Sequence, residues 1–132
     1  INEVKYINDS KATNIDSVIV AINTYDQPII LILGGFNKGA NFRLLLPHIK
    51  SSHVRDIVSY GDAGGQINTA LGDAVRSVQV TDLSSAVKKA QLMAAPGDIV
   101  LLSPGCASYD EFSNFEERGN HFKSIIKNIA IS

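Results

Sequence analysis

Short runs of apolar residues alternate along the chain with longer segments in which apolar residues recur every three or four positions. The short runs have the composition of β-strands and cover Val4–Asn8, Ile29–Leu33, Asp56–Ser59, Val75–Thr81 and Ile99–Leu102. The longer segments have helical spacing and cover Asp16–Thr24, Phe42–His48, Gly65–Leu71, Leu83–Ala94 and Phe112–Asn128. Because the two patterns alternate at this spacing, they predict an α/β domain with a mostly parallel sheet.

Two of the predicted strands are apolar at every position. Ile29–Leu33 and Ile99–Leu102 show no alternation of apolar and polar residues, which is typical of strands that helices cover on both sides. We therefore expect helices on both faces of the sheet.

A polar or glycine-rich turn follows each of the strongest strands. These turns cover Asn8–Asn14, Gly34–Phe42, Tyr60–Gly65 and Ser103–Asp110. The carboxyl ends of parallel strands share one edge of the sheet, and open α/β sheets bind their ligands at that edge. The sequence therefore predicts that four segments distant along the chain meet at one site.

The residues in these turns favour an anionic ligand. Lys11 and Lys38 supply cations, Thr13 and Ser108 supply hydroxyl groups, and the glycines let backbone N–H groups approach a ligand closely. The same residues have plainer interpretations, since Thr and Ser are favoured as helix caps and Lys38 lies in a polar turn. The residue types by themselves leave both interpretations open.

Composition narrows the choice of function. The chain has 132 residues, enough for one domain, with 45% hydrophobic residues and a net charge of −1. Because no basic excess is present, we expect no nucleic-acid partner. We expect no membrane segment either, since the longest apolar run, Pro28–Leu33, is too short to cross a bilayer. A single cysteine, Cys106, fits a reducing, cytoplasmic compartment. Because the chain begins at Ile1 rather than at methionine, we expect it to be a domain of a longer protein.

Other chemically notable residues have simple structural interpretations. Cys106 is expected to be a packed small residue, and the consecutive Glu116, Glu117 and Arg118 are expected to form a solvated helix face. The three histidines lack the spacing of metal ligands, so we expect no metal site. Neither a phosphate-binding P-loop nor a dinucleotide-binding glycine motif is present.

Three motifs together resemble one known family. They are N-D-S-K-A-T-N at Asn8–Asn14, L-G-G-x-x-K-G at Leu33–Gly39, and L-L-S-P-G-C-A-S-Y-D-E-F-S-N-F-E-E-R-G-N-H-F at Leu101–Phe122. In these motifs the chain is similar to the C-terminal domain of the Mur ligases, and within that family to the enzymes that add D-glutamate. The resemblance extends over essentially the whole of residues 1–132, and it implies a three-layer, Rossmann-like α/β domain.

The resemblance also implies a reaction. In that family, ATP phosphorylates the alanyl carboxylate of UDP-N-acetylmuramoyl-L-alanine, and the amine of D-glutamate attacks the acyl phosphate to form an amide bond of peptidoglycan. ATP and Mg²⁺ are held mainly by a central ATPase domain, and the nucleotide sugar mainly by an N-terminal domain. Neither domain is in this chain, so the isolated chain is expected to have no catalytic residues of its own and to be inactive. The alternative from another class of function is a stand-alone module that binds small anions without chemistry.

The motifs further imply residue roles. Two residues correspond to ligands of one D-glutamate carboxylate, Thr13 and Lys38. Ser108 and the backbone around Phe115 correspond to ligands of the other carboxylate, with Tyr109 lining the pocket. Two residues correspond to positions that face the nucleotide, Asp9 and Lys11. The chain departs from the family pattern at Phe36, where a polar residue is common, and this departure changes the expected surroundings of Lys38.

Overall fold

The structure, a computed structural model, describes residues 3–37, 39–109 and 111–131. The strands are β1 (Lys5–Asn8), β2 (Ile29–Gly34), β3 (Val54–Tyr60), β4 (Arg76–Gln79) and β5 (Ile99–Gly105). The α-helices are α1 (Ile15–Ile22), α2 (Leu46–Ser51), α3 (Gly64–Leu71), α4 (Leu83–Met93) and α5 (Phe115–Ile131). A short 3-10 helix, Phe42–Leu45, leads directly into α2. The predicted alternation of strands and helices is confirmed.

The strands form one sheet in the order β1-β5-β2-β3-β4, and every pairing is parallel. In the centre, Ile30 of β2 lies opposite Val100 of β5 on one side and Asp56 of β3 on the other. Because all strands run the same way, the loops that follow them leave from one edge, which we call the carboxyl edge.

Helices cover both faces of the sheet, as the apolar strands predict. Successive side chains of a strand point to opposite faces. Accordingly, Leu31 packs into a core with α1, α2 and α3, whereas Ile30 and Ile32 pack into a second core with α4 and α5. All of β2 is buried because helices shield it on both sides. The three-layer α/β architecture is thereby confirmed.

Several predicted boundaries differ from the structure, and two of them bear on the carboxyl edge. The pattern predicts that Ser103 opens a turn, but β5 continues to Gly105, because the Gly105 N–H donates to the Ala12 carbonyl at 2.7 Å and the Ser103 hydroxyl donates to Asp9 at 3.1 Å. The pattern also starts the last helix at Phe112. The helix starts three residues later, where the Asn114 side chain accepts a hydrogen bond from Glu117 N–H.

A charged cluster closes the opposite, amino edge of the sheet. Asp56 is 2% exposed and accepts hydrogen bonds from Nε of Arg55 at 2.8 Å and Nε of Arg76 at 2.6 Å. Arg55 also donates to Asp98 and to the carbonyl of Met93, each at 2.8 Å. Burial alone would raise the pKa of Asp56, but the hydrogen bonds and positive charges of the two arginines outweigh it, and the pKa lies below its ordinary value.

None of the helices in the described ranges is long and apolar enough to cross a membrane.

Candidate functional site

Four turns meet at the carboxyl edge, as the sequence predicts. Backbone hydrogen bonds join the turn after β1 to β5, where the Asp9 N–H donates to Leu102 at 2.7 Å. They also join the turn after β2 to the turn after β5, where the Phe36 N–H donates to Ala107 at 2.7 Å. The turn after β3 is attached by the Ala63 N–H, which donates to Gly35 at 3.0 Å. The edge is therefore a hydrogen-bonded unit rather than a set of independent loops.

The turns approach each other so closely that one position requires glycine. Gly35 has a φ of +122°, and a Cβ built there would lie 2.4 Å from the Ala107 carbonyl oxygen and 3.0 Å from Nη1 of Arg118. Any side chain at Gly35 would force the turn after β2 away from the turn after β5.

Asp9 and Lys11 line a first cleft, of about 430 Å³, between the turn after β1 and helix α1. Tyr25 and the exposed Val20 complete its apolar wall. The Asp9 carboxylate accepts a hydrogen bond from Ser103 and is thereby held in place, whereas Lys11 is exposed. This cleft combines a fixed acceptor, a cation and an apolar surface.

Thr13 lines a second cleft, of about 370 Å³, formed by the turns after β1, β2 and β5. Phe36, which is 40% exposed, and Ala107 contribute to its wall. Lys38, the other residue implied for this carboxylate, lies outside the described residues. Gly39, its neighbour in sequence, lines the cleft.

Ser108, Tyr109 and Phe115 follow β5 but do not share one cleft with Thr13. Ser108 is 2% exposed, and its carbonyl accepts hydrogen bonds from the N–H groups of Glu111 and Phe112, so a compact turn fixes its position. Tyr109 is 61% exposed. Phe115 lines a third cleft, of about 250 Å³, on the other side of the turn after β1.

The prediction that Glu116, Glu117 and Arg118 form a solvated helix face is wrong for the arginine. The two glutamates are exposed, but Arg118 is 0% exposed. Its Nε donates to the Ser10 hydroxyl at 2.9 Å, Nη2 to the Ser10 carbonyl at 2.7 Å, and Nη1 to the Cys106 carbonyl at 2.9 Å. Helix α5 directs this side chain toward the turns after β1 and β5. The charge pattern of the neighbouring residues gives no sign of these partners.

The described residues contain no group of three or more His, Cys, Asp or Glu that could hold a metal ion. Cys106 is buried and packs into the core beside α1, as the sequence predicts.

Comparison with known proteins agrees with the motifs at this edge. The family model described as "Mur ligase, glutamate ligase domain" matches residues 1–106. The chain is 47% identical over 123 residues to the UDP-N-acetylmuramoylalanine–D-glutamate ligase of Chlamydia caviae, covering 93% of this chain and 29% of that protein. It is 45% identical over 131 residues to the protein of the same name from Clostridioides difficile, covering 98% of this chain and 29% of that protein. It is 40% identical over 134 residues to the one from Pseudomonas fluorescens, covering 98% of this chain and 30% of that protein. The chain thus spans less than a third of the length of these relatives. With the family model matching most of its residues, the chain belongs to the family of Mur ligase glutamate ligase domains.

Proposed function

We propose that this chain is the D-glutamate-binding domain of an ATP-dependent ligase that joins D-glutamate to UDP-N-acetylmuramoyl-L-alanine in cytoplasmic peptidoglycan synthesis. The observation that carries the proposal is the meeting of three turns at the carboxyl edge, each with one of the family motifs. Names of relatives that are 40–47% identical over almost the whole chain support the same activity.

The rest of the ligase is proposed to lie outside this chain. Because the chain spans about 29% of the Chlamydia caviae relative, most of that protein has no counterpart here. We assign ATP phosphate binding, Mg²⁺ and the nucleotide sugar to those other parts, as a central ATPase domain and an N-terminal domain. What remains for this chain is to bind D-glutamate, to orient its amine, and to face the nucleotide through Asp9 and Lys11.

A dicarboxylate needs two separate groups of hydrogen-bond donors, and the edge offers two. We place one carboxylate in the cleft at Thr13, together with Lys38. We place the other on Ser108 and the first turn of α5 at Phe115, with Tyr109 beside it. The first N–H groups of a helix have no partner within the helix, and they carry the positive end of its dipole. With both carboxylates held, the amine stays free for amide formation.

The assignment of the two carboxylates is tested in the full-length enzyme that contains this domain. Formation of product from UDP-N-acetylmuramoyl-L-alanine is measured with D-glutamate and with D-glutamine. Ser108→Ala removes a donor to an ionised group, so its KM for D-glutamate should rise by about tenfold or more. The preference for glutamate over glutamine should also narrow. The side-chain NH₂ of glutamine is itself a donor and faces the Ser108 donor unfavourably, so removing the Ser108 hydroxyl weakens glutamine binding less than glutamate binding.

Two further variants make the result specific. Thr13→Ala should weaken both amino acids about equally, because the carboxylate that it binds is common to both. Ser113→Ala, an exposed serine in the same loop as Ser108, should change neither KM. If Ser108→Ala leaves the preference intact, the side-chain carboxylate is bound elsewhere. If the full-length protein binds D-glutamate but makes no amide bond, the chain is a binding module and the proposed ligase is wrong.

A further inference from the structure

Arg118 is a buried cation that the proposed binding of D-glutamate does not use. Its guanidinium group is fully buried and donates to three neutral oxygens of the described residues, the hydroxyl and carbonyl of Ser10 and the carbonyl of Cys106. In the part of the chain that the structure describes, no carboxylate lies within salt-bridge distance of it. Burying a charge is costly unless hydrogen bonds compensate, so these three contacts must be well formed for the side chain to remain there.

The partners of Arg118 lie just before the proposed ligands of D-glutamate. Ser10 precedes Thr13 in the turn after β1, and Cys106 precedes Ser108 in the turn after β5. Gly35, in the turn that leads to Lys38, packs so closely that a Cβ there would lie 3.0 Å from Nη1. One guanidinium group therefore hydrogen-bonds the turns after β1 and β5 and lies beside the turn after β2.

The contact extends to the start of α5. The Ser10 hydroxyl accepts a hydrogen bond from Nε of Arg118 and donates one to the carbonyl of Phe115 at 2.7 Å. Through Ser10, Arg118 holds the first residue of the helix that we propose to bind the second carboxylate.

We propose that Arg118 is a positioning residue for D-glutamate, which sets the spacing between the turns that bind its two carboxylates. This inference rests on the proposed function. An arginine is required because its rigid planar fork donates in several fixed directions, whereas a lysine donates from a single nitrogen. Losing that geometry should shift the turns relative to one another while the positive charge is retained.

The test is made in the full-length enzyme with Arg118→Lys. The KM for D-glutamate should rise by roughly tenfold or more, because small misplacements of binding groups have large kinetic effects. The KM for ATP should stay within about twofold, since we assign its phosphates to another domain. A matched control is Arg55→Lys, which alters an arginine with three hydrogen-bonded partners at the opposite edge of the sheet. The control should lower thermal stability without raising the KM for D-glutamate.

A second variant decides the matter if Arg118→Lys does not fold. Ser10→Ala removes only the hydroxyl between Arg118 and Phe115, and it should raise the KM for D-glutamate by a few fold. A folded variant of either kind with an unchanged KM for D-glutamate, or a control that raises it equally, overturns the positioning role. A wild-type enzyme that ligates no D-glutamate overturns the proposed function and this role together, so the two failures are distinguishable.

Discussion

Substitution of Gly35 by alanine tests how tightly the turns at the carboxyl edge are packed. The added methyl group would lie 2.4 Å from the Ala107 carbonyl oxygen, whereas a Cβ needs about 3.0 Å, so the carbonyl would have to retreat by about 0.6 Å. That movement stretches the 2.7 Å hydrogen bond from Phe36 N–H to the same carbonyl. The positive φ of +122° adds backbone strain for any residue with a Cβ.

The expected loss of stability can be estimated from these two effects. The strain of a positive φ is about 1–2 kcal/mol, and a weakened backbone hydrogen bond adds about 1 kcal/mol. We therefore expect Gly35→Ala to lower the free energy of unfolding by about 2–3 kcal/mol, which corresponds to roughly 10 °C in Tm for a domain of this size. In the full-length enzyme the same variant should raise the KM for D-glutamate, because Ala107 is adjacent to Ser108.

Gly97→Ala is the matched control for this experiment. Gly97 also has a positive φ, of +93°, but a Cβ there would meet no atom within 4 Å. Urea unfolding of the 132-residue chain, followed by circular dichroism, should therefore show only the strain of about 1–2 kcal/mol for Gly97→Ala. If Gly35→Ala is no more destabilising than Gly97→Ala, the turns are not in the close contact described above and the reasoning fails.

Three other outcomes are expected. The 132-residue chain by itself should neither hydrolyse ATP nor form an amide bond, as measured by phosphate release, and turnover by the purified chain would contradict the proposed division between domains. In the full-length enzyme, Lys38→Ala should raise the KM for D-glutamate by about thirty- to a hundredfold and the KM for ATP much less, because a charge-assisted contact is lost; the reverse pattern would reassign Lys38 to the nucleotide. The depressed pKa of Asp56 stabilises the fold at pH values above the ordinary Asp pKa, about 4, and this contribution is lost as the pH falls through the lowered value. Asp56→Asn should therefore make the free energy of unfolding, measured by urea titration at a series of pH values, depend less steeply on pH below about 4. If its dependence on pH is the same as in the wild type, Asp56 is excluded as a source of acid sensitivity.

Much of the fold could be predicted from local sequence patterns. Continuous apolar runs such as Ile29–Leu33 predict strands shielded on both faces, and all of β2 is buried between two layers of helices. The turns that follow such strands must lie on one edge, since parallel strands point the same way. The expectation that Asn8–Asn14, Gly34–Phe42 and Ser103–Asp110 share one edge of the sheet therefore needed no knowledge of the strand order.

The residues of the candidate site were predicted from a family resemblance rather than from local patterns. Threonine and serine in turns, such as Thr13 and Ser108, can bind an anion, but they are equally common as helix caps or turn residues. The long motif around Ser108, through its resemblance to a known family, favours the binding interpretation, which stays a prediction. The distribution of Thr13 and Phe115 between separate clefts was visible only in three dimensions.

By itself, the sequence determined the class of fold, the edge of the sheet at which the motif turns lie and the family to which the chain belongs. Only the tertiary structure decided the strand order, which places β5 between β1 and β2 and so brings the turns after β1 and β5 side by side. The tertiary structure also decided that Arg118 is buried. This arginine follows two exposed glutamates, and its local sequence is that of a solvated helix face. Local patterns report the preferences of a residue and its near neighbours, whereas the partner that buries this arginine, Ser10, lies 108 residues away along the chain. Such a partner exists only once the sheet has brought the two segments together.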